Sequence, residues 1–199
     1  KEAMIISFMV MFLMASFSSA ALAGSADVVS LGADLTSKQQ EEVLKQFDVS
    51  EDEVNIITVT IAEVKDHLSG IATDKQIGTK AISSAYVKIL PEGSGLQIDT
   101  HNVTLVTEEM YANAMVTAGV EDARVMVTAP FKVTGTTALT GIIMAFEEAT
   151  GRKLTKEAKK VASEELLLTG EMGEQLGKDD AAKLMKVVKE RVIKQNIKS

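Results

Sequence analysis

The 199-residue sequence contains no cysteine, no tryptophan and only two histidines. Without cysteine, the chain cannot contain a disulfide, a thiolate metal site, a catalytic thiol or a lipidated cysteine. Aromatic residues make up 4% of the sequence, so side chains on which bases or sugars could stack are scarce. The core must therefore consist of aliphatic residues and methionine, and no cofactor is predicted.

The charge balance is acidic, with a formal net charge of −7 and an isoelectric point near 5.0. This charge opposes non-specific attraction to the phosphate backbone of nucleic acids. Apolar residues still make up 46% of a chain that is long enough to bury a real core. We therefore expect one compact domain and no nucleic-acid partner.

Residues 4–23 form an apolar run without a charge, which ends in Ala21-Leu22-Ala23 before Gly24. Small residues here are typical of a signal-peptidase site, so we predict a signal peptide over residues 1–23 with cleavage after Ala23. An uncleaved anchor is the alternative, because roughly 20 apolar residues can cross a bilayer. Lys1 is not an initiator methionine, so we expect the chain to lack a few residues of the signal's start. The predicted location is secreted or extracytoplasmic.

Short β-branched stretches alternate with amphipathic helical patterns, which predicts an α/β fold with a mixed sheet of about five strands. An α+β arrangement is the alternative. The predicted strands are marked by Val28, Ile56, Val87, Ile98 and Val125. We assign residues 24–151 to an α/β core domain and residues 152–199 to a helical C-terminal extension.

One predicted helix organises the rest of the chain. Leu139, Ile142, Ile143 and Phe146 follow an i, i+3, i+4, i+7 spacing, which puts all four on one helical face. Pro130 ends the strand that precedes this helix. We expect the sheet to cover the apolar face.

Two alternating stretches, 85–89 and 96–98, flank the turn-forming residues 91–95, which predicts a β-hairpin. In such a hairpin, Asp99 and His101 would approach Lys88 on a shared face. These three residues are candidate ligand contacts, although a solvated sheet face explains them as well. A single Asp-x-His pair without further His or Cys is not a metal-site signature.

The helices predicted after Thr36 and after Thr107 share a pattern of apolar residues at a constant offset of 71. Each helix is followed by an acidic turn and a β-branched strand. The match indicates either duplication of a helix-strand unit or a chance similarity between two short amphipathic helices.

The best candidate for ligand contact is the loop formed by Thr134, Gly135, Thr136 and Thr137, which precedes the central helix. This loop offers hydroxyl groups and free backbone N–H groups at a helix N-terminus, where a phosphate or carboxylate is favoured. The phosphate-loop pattern Gly-x-x-x-x-Gly-Lys-Ser/Thr is absent. Plain N-capping by threonine is the alternative.

A catalytic nucleophile is hard to identify, because the Gly-x-Ser-x-Gly pattern is absent and nothing orients Ser83 or Ser84 towards Lys80. His67 falls in a segment without clear periodicity and receives little weight. A hydrolase would require the serines, Lys80, His101 or a carboxylate pair to converge in one cleft.

The last predicted helix, from about Asp180, is basic. Residues 178–199 hold seven Lys or Arg against three Asp or Glu, giving +4, whereas residues 24–177 hold 13 against 24, giving −11. Such a helix can lie on an anionic envelope polymer, on a lipid surface or on its own acidic body, and a solvated face is the alternative. Membrane contact is therefore predicted only through the leader or this helix.

A succession of short motifs carries a family resemblance. The motifs are Ser30-Leu31-Gly32-Ala33-Asp34-Leu35, Gln76-Ile77-Gly78, Ala81-Ile82-Ser83-Ser84, Gly93-Ser94-Gly95-Leu96, Thr100-His101-Asn102, Thr117-Ala118-Gly119-Val120, Val127-Thr128-Ala129-Pro130-Phe131 and Thr137-Ala138-Leu139-Thr140-Gly141. In this order they resemble the YpuA-like family, exported proteins of unknown function from spore-forming and related Gram-positive bacteria. The resemblance implies export, and it implies no reaction, ligand or catalytic residue. Longer members continue past the equivalent of Ser199, which implies that this chain is a shortened version.

Together these patterns favour a non-enzymatic module that binds or organises a cell-envelope polymer or another envelope protein. A hydrolase of envelope polymers and a structural or assembly subunit are the alternatives. An exposed apolar patch along the final helix would favour assembly.

Overall fold

A computed structural model of the protein describes residues 27–196, so the predicted signal peptide and its cleavage point lie outside the described residues. In chain order the elements are β1 (Val28–Gly32), α1 (Ser37–Phe47), β2 (Asn55–Val59), α2 (Ile61–His67), α3 (Asp74–Ile77), β3 (Ser84–Ile89), β4 (Leu96–Thr100), α4 (Glu108–Ala118), β5 (Ala123–Thr128), α5 (Ala138–Thr150), α6 (Lys156–Leu176) and α7 (Lys178–Asn196).

The five strands form one mixed sheet in the order β2-β1-β3-β5-β4. Strand β1 runs parallel to β2, β4 runs parallel to β5, and β3 is antiparallel to both of its neighbours. The predicted α/β class and the mixed sheet of about five strands are confirmed. Each of the five residues that marked a predicted strand lies in one.

The predicted hairpin between β3 and β4 is wrong, because β5 lies between these strands. Arg124 of β5 pairs with Lys88 of β3 on one side and with Gln97 of β4 on the other. The turn at residues 91–95 exists, but Asp122 just before β5 holds both of its ends. The Asp122 carbonyl accepts from the Leu90 N–H at 3.1 Å, and its carboxylate accepts from the Gly95 N–H at 2.7 Å.

Helix α5 packs against the centre of the sheet, as its apolar spacing predicts. Leu139, Ile142, Ile143 and Phe146 are all at most 4% exposed and belong to the largest apolar cluster. Gly141 allows the helix to approach β1 closely, since a Cβ atom there would lie 2.7 Å from the Ser30 hydroxyl. The sheet and α5 therefore form the centre of the molecule.

The remaining helices divide between the two faces of the sheet. Helix α1 packs on Val29, Leu31 and Tyr86, whereas α4 and α6 pack on the face that α5 covers. The crossovers β1-α1-β2 and β4-α4-β5 step in the same direction between parallel strands, yet their helices lie on opposite faces. They therefore have opposite handedness, and only the right-handed one is usual. The two crossovers therefore do not superimpose as whole strand-helix-strand units, and duplication of the helix-strand unit alone stays a prediction.

Helix α7 returns along α6 after a turn at Gly177 and buries Ala181 and Ala182. The ammonium group of Lys189 donates to the Glu165 carboxylate at 2.9 Å and to the Asn113 carbonyl at 2.8 Å, which ties α7 to α6 and α4. The outer side of α7 is apolar and between 44% and 56% exposed at Leu184, Val187, Val188, Val192 and Ile193. Within residues 27–196, no helix combines the length and apolarity needed to cross a membrane.

Candidate functional site

A cleft of about 830 Å³ lies in front of the N-terminus of α5. Its walls are α3 with the following segment to Ser83, the loop 132–137, and the C-terminal half of α6. Ile77, Ile82, Val133 and Leu167 give it an apolar floor. This volume falls within the range of typical small-molecule sites.

The loop formed by Thr134, Gly135, Thr136 and Thr137 lines the cleft and is held from below. The Tyr111 hydroxyl donates to the Gly135 carbonyl at 2.6 Å, and burial raises the pKa of Tyr111, so this phenol stays a neutral donor. Gly135 has φ +93°, and a Cβ atom there would meet Val103 at 2.4 Å. The Thr136 hydroxyl donates to the Gln76 carbonyl at 3.2 Å. The loop therefore has a fixed backbone.

Plain N-capping does not explain this loop. Thr137 occupies the N-cap position of α5 in a helical conformation, and its side chain makes no capping hydrogen bond. The helical ψ of −17° differs from the extended backbone with which a threonine hydroxyl normally caps a helix. The Ala138 N–H instead donates to the Gly135 carbonyl at 3.1 Å.

Thr140 adds an unpaired polar group to the first turn of α5. It is 2% exposed, and its hydroxyl has no hydrogen-bond partner among residues 27–196. Thr140 is not among the residues that line the cleft, so this hydroxyl is an unsatisfied atom of the buried face of α5.

Charged side chains surround the cleft with three ammonium groups and two carboxylates. Lys75, Lys80 and Lys132 supply the positive charges, and Glu171 and Glu174 of α6 supply the negative charges. Glu171 accepts a hydrogen bond from the Gln76 amide at 3.0 Å. No aromatic side chain is among the lining residues that the structure describes. Ammonium and hydroxyl groups around an apolar floor suit an anionic ligand better than a stacked sugar.

The structure separates the other predicted site residues. Lys80 and Ser83 line the cleft, whereas Ser84 is 1% exposed and its hydroxyl accepts from the Gly32 N–H at 3.3 Å. His101 and Asp99 line a separate, smaller depression of about 220 Å³ beside α1.

The proposed contact face on the sheet is also divided. Lys88 pairs with Asp27 at 3.1 Å, and Asp99 lies 3.9 Å from Arg124 of the intervening strand. The side chains share one sheet face, but β5 separates Lys88 from Asp99 and His101.

Sequence reasoning missed a polar cluster between α2, α5 and α6. The imidazole Nε2 of His67 lies 2.9 Å from the Ser163 hydroxyl, which donates to the Lys159 carbonyl. The Lys159 ammonium group lies 2.6 Å from the Glu147 carboxylate. Although burial acts to raise the pKa of Glu147, hydrogen bonds from Lys159, the Leu154 N–H and Lys153 outweigh it, and the pKa is lowered.

This Ser-His pair does not form a catalytic site. Ser163 lies inside α6 and is 1% exposed, so no substrate can reach its hydroxyl. The pair joins positions 96 residues apart, and no local pattern marks it. Groups of three or more His, Asp or Glu with metal-binding geometry are likewise absent from residues 27–196.

The family described as "Protein of unknown function (DUF1002)" matches residues 31–199. The chain belongs to this family. It is also 43% identical over 170 residues to the uncharacterized protein YpuA of Bacillus subtilis (strain 168), a match that covers 85% of this chain. The predicted family is thereby confirmed. The DUF1002 chain spans 58% of the length of YpuA, and no solved structure matches it.

Proposed function

We propose that this DUF1002 chain is a non-enzymatic, exported module whose cleft binds an anionic group of a cell-envelope polymer. One observation carries the proposal: a cleft of about 830 Å³ combines three lysines with the hydroxyl groups of a rigid threonine loop. Ammonium groups attract phosphate or carboxylate from a distance, and hydroxyl and backbone N–H groups then bind the oxygens by short, charge-assisted hydrogen bonds.

The burial of two serines and the separation of His101 from the cleft favour binding over hydrolysis. Ser84 and Ser163 are both buried, and His101 lines a different depression from Lys80 and Ser83. A nucleophile needs a base within hydrogen-bond reach and an open approach for the substrate. Neither Ser84 nor Ser163 is open to a substrate.

Export is supported by the sequence that precedes β1. The uncharged apolar run over residues 4–23 ends in small residues, and the absence of cysteine removes any need for oxidative folding outside the cell. An exported binding module meets envelope polymers directly.

The proposal is tested by incubating the purified chain, without residues 1–23, with a cell-wall fraction and measuring co-sedimentation and polymer release. We expect retention without release. Exchanging Lys80 and Lys132 for Gln should weaken retention about tenfold or more at low salt, since each removes a cleft charge. The double exchange of Lys38 and Lys45 on α1 for Gln, which removes the same two charges outside the cleft lining, is the matched control. Equal retention of all variants would reject the cleft, and polymer release lost with Ser83→Ala would establish the hydrolase instead.

A second candidate function is assembly through α7. Leu184, Val188 and Val192 lie at i, i+4 and i+8 and are 44%, 48% and 49% exposed. Antiparallel pairing with a second copy would cover this stripe and bring the acidic start of α7, at Asp179 and Asp180, near the basic end of its partner helix.

Sedimentation velocity over a range of concentrations tests assembly. We expect self-association that Val188→Lys abolishes, because a lysine at the centre of the stripe cannot be buried without a partner charge. Val116→Lys on α4 is the control, since Val116 is 55% exposed and lies on another helix. A monomer at every concentration would exclude this function.

A further inference from the structure

The five charged side chains around the cleft are divided by sign between its walls. Lys75 and Lys80 belong to the wall that consists of α3 and the segment after it, and Lys132 belongs to the threonine loop. Both carboxylates, Glu171 and Glu174, belong to the C-terminal half of α6. All five residues are exposed, so a ligand can reach them. The cleft therefore has two positively charged walls and one negatively charged wall.

These opposite charges do not neutralise one another. Among the residues that the structure describes, the salt bridges involve other lysines and other carboxylates, and none of the five cleft charges takes part in one. The basic residue nearest in sequence to Glu174 is Lys178, and its ammonium group donates to the Thr104 carbonyl instead. The cleft thus offers uncompensated charges of both signs to a ligand.

A neutral side chain holds one of the two carboxylates in place. The Gln76 amide nitrogen donates to Glu171 at 3.0 Å. The Gln76 amide oxygen accepts from the N–H of Thr73 at 2.9 Å and from its hydroxyl at 2.8 Å. The Gln76 carbonyl accepts from the Thr136 hydroxyl at 3.2 Å. Because the amide carries no charge, Gln76 orients the Glu171 carboxylate without neutralising it.

Both glutamates occupy positions that are unfavourable for the helix that carries them. Glu171 and Glu174 lie in the last two turns of α6, and the last turn contains no basic residue. The C-terminal end of a helix is the negative end of its dipole, where cations are stabilising and carboxylates are not. A neutral glutamine at position 171 would accept the hydrogen bond from Gln76 equally well. The fold therefore does not require these two negative charges, whereas a bound cation would.

The other end of the cleft has the opposite polarity. The threonine loop leads into the N-terminus of α5, which is the positive end of that helix dipole. Lys80 and Lys132 add two ammonium groups beside it. An anion is therefore favoured at the loop, and a cation is favoured at the C-terminal turns of α6.

We propose that the ligand of the cleft is zwitterionic: a polymer unit that carries a primary ammonium group beside its phosphate or carboxylate, with the anion at the threonine loop and the ammonium group at Glu171 and Glu174. This inference rests on the proposed function, because it names the class of unit that the envelope polymer must carry. An ammonium group has three N–H donors, which two carboxylates can accept. A purely anionic unit would instead meet like charge at α6, so the glutamates also select against it.

Selective acetylation of the amino groups in the cell-wall fraction tests the inference, because it removes ammonium groups and leaves the anionic groups in place. For the purified chain without residues 1–23, we expect acetylation to weaken retention about tenfold or more at low salt. Exchanging Glu171 and Glu174 for Gln should weaken retention on the untreated fraction similarly and abolish the response to acetylation. The exchange of Glu157 and Glu164 for Gln removes two carboxylates of the same helix outside the cleft lining. This control should behave as the unsubstituted chain.

Thermal unfolding separates a binding role of the two glutamates from a role in the fold. Since their charges oppose the dipole of α6, the variant with Gln at both positions should unfold at the same temperature as the unsubstituted chain or at a higher one. A lower unfolding temperature would show that the fold needs these carboxylates, and it would overturn the inference.

Calorimetry with small probes tests the ligand class without the polymer. We expect 6-aminohexyl phosphate to bind more tightly than 6-hydroxyhexyl phosphate, in which a hydroxyl replaces the ammonium group. The preference should vanish when Glu171 and Glu174 are exchanged for Gln. Binding of 6-aminohexanoate in addition would show that the loop accepts a carboxylate as well as a phosphate.

The two experiments distinguish failure of the inference from failure of the proposed function. Equal retention of the unsubstituted chain on treated and untreated fractions overturns the zwitterionic ligand and leaves the binding function standing. No retention on either fraction, together with a glutamate-dependent preference for the aminohexyl probe, overturns the proposed polymer and leaves the ligand class standing. No retention and no such preference overturn both.

Discussion

The two sides of the cleft differ in how they are held. The loop that carries Thr136 is attached to the main core, in which Tyr111, Ile142 and Leu166 are at most 1% exposed. The opposite wall, residues 61–78, buries a handful of aliphatic side chains and otherwise relies on polar contacts. From this difference in packing we expect one side of the cleft to be a fixed template and the other to be an adjustable part.

The largest effect should follow from damage to the template side. Ile142→Ala removes a side chain that is 0% exposed between α5 and the sheet, and we expect a loss of about 2–5 kcal/mol in the free energy of unfolding. Denaturant unfolding followed by circular dichroism measures it. Exchange should accelerate everywhere, because the whole core depends on this helix. A loss confined to the wall would contradict the division.

A smaller effect should appear where the template meets the cleft. Tyr111→Phe removes the donor that lies 2.6 Å from the Gly135 carbonyl, which keeps the Ala138 N–H at 3.1 Å. We expect about 1–1.5 kcal/mol of destabilisation together with a more mobile loop. Tyr86→Phe removes a hydroxyl bonded to Asp27 at 2.6 Å on the other sheet face and is the matched control. If both variants leave exchange in the loop 132–137 unchanged, Tyr111 does not hold it.

The smallest effect should be confined to the adjustable side. Thr60 caps α2 in a capping box with Glu63, and Thr36 caps α1 with Gln39 in the same way. We expect Thr60→Ala to cost about 1 kcal/mol and to accelerate exchange in residues 61–78 alone. Thr36→Ala loses the same cap at the start of α1 and should leave the wall unaffected. Equal responses of the wall to both changes would remove the distinction.

Most of the helices and strands could be predicted from local pattern, because the spacing of apolar residues that marks each element is visible within a short stretch of sequence. The helix after Thr36, the helix after Thr107 and the buried face of α5 all occur as their spacing predicts. Helix α3 was not predicted, because four residues are too few to show a period.

Strand order could not be predicted in the same way. A turn-rich segment predicts that the flanking strands pair with each other. Instead, β5 lies between them and forms six residue pairs with β3 and five with β4. Strand β5 begins at Ala123, which is 28 residues after Gly95, the last residue of the turn. Local turn chemistry carries no information about a partner at that distance.

The candidate site was only partly visible for the same reason. The threonine loop is contiguous in the chain, and its position at a helix N-terminus is a local signal. Gln76, Lys132 and Glu171 come from three separate segments that meet only in the folded molecule. The contact between His67 and Ser163 spans 96 positions, and it becomes visible only when α2 lies on α6.

The central position of β5 also fixes an order of events during synthesis. Strand β4 pairs with β5 and with no other strand of the sheet, although it precedes β5 in the chain. In a nascent polypeptide that ends before Ala123, β4 therefore has no strand to pair with. Strands β1, β2 and β3 can already pair with one another. Roughly the first three fifths of the chain must therefore emerge before the sheet can close.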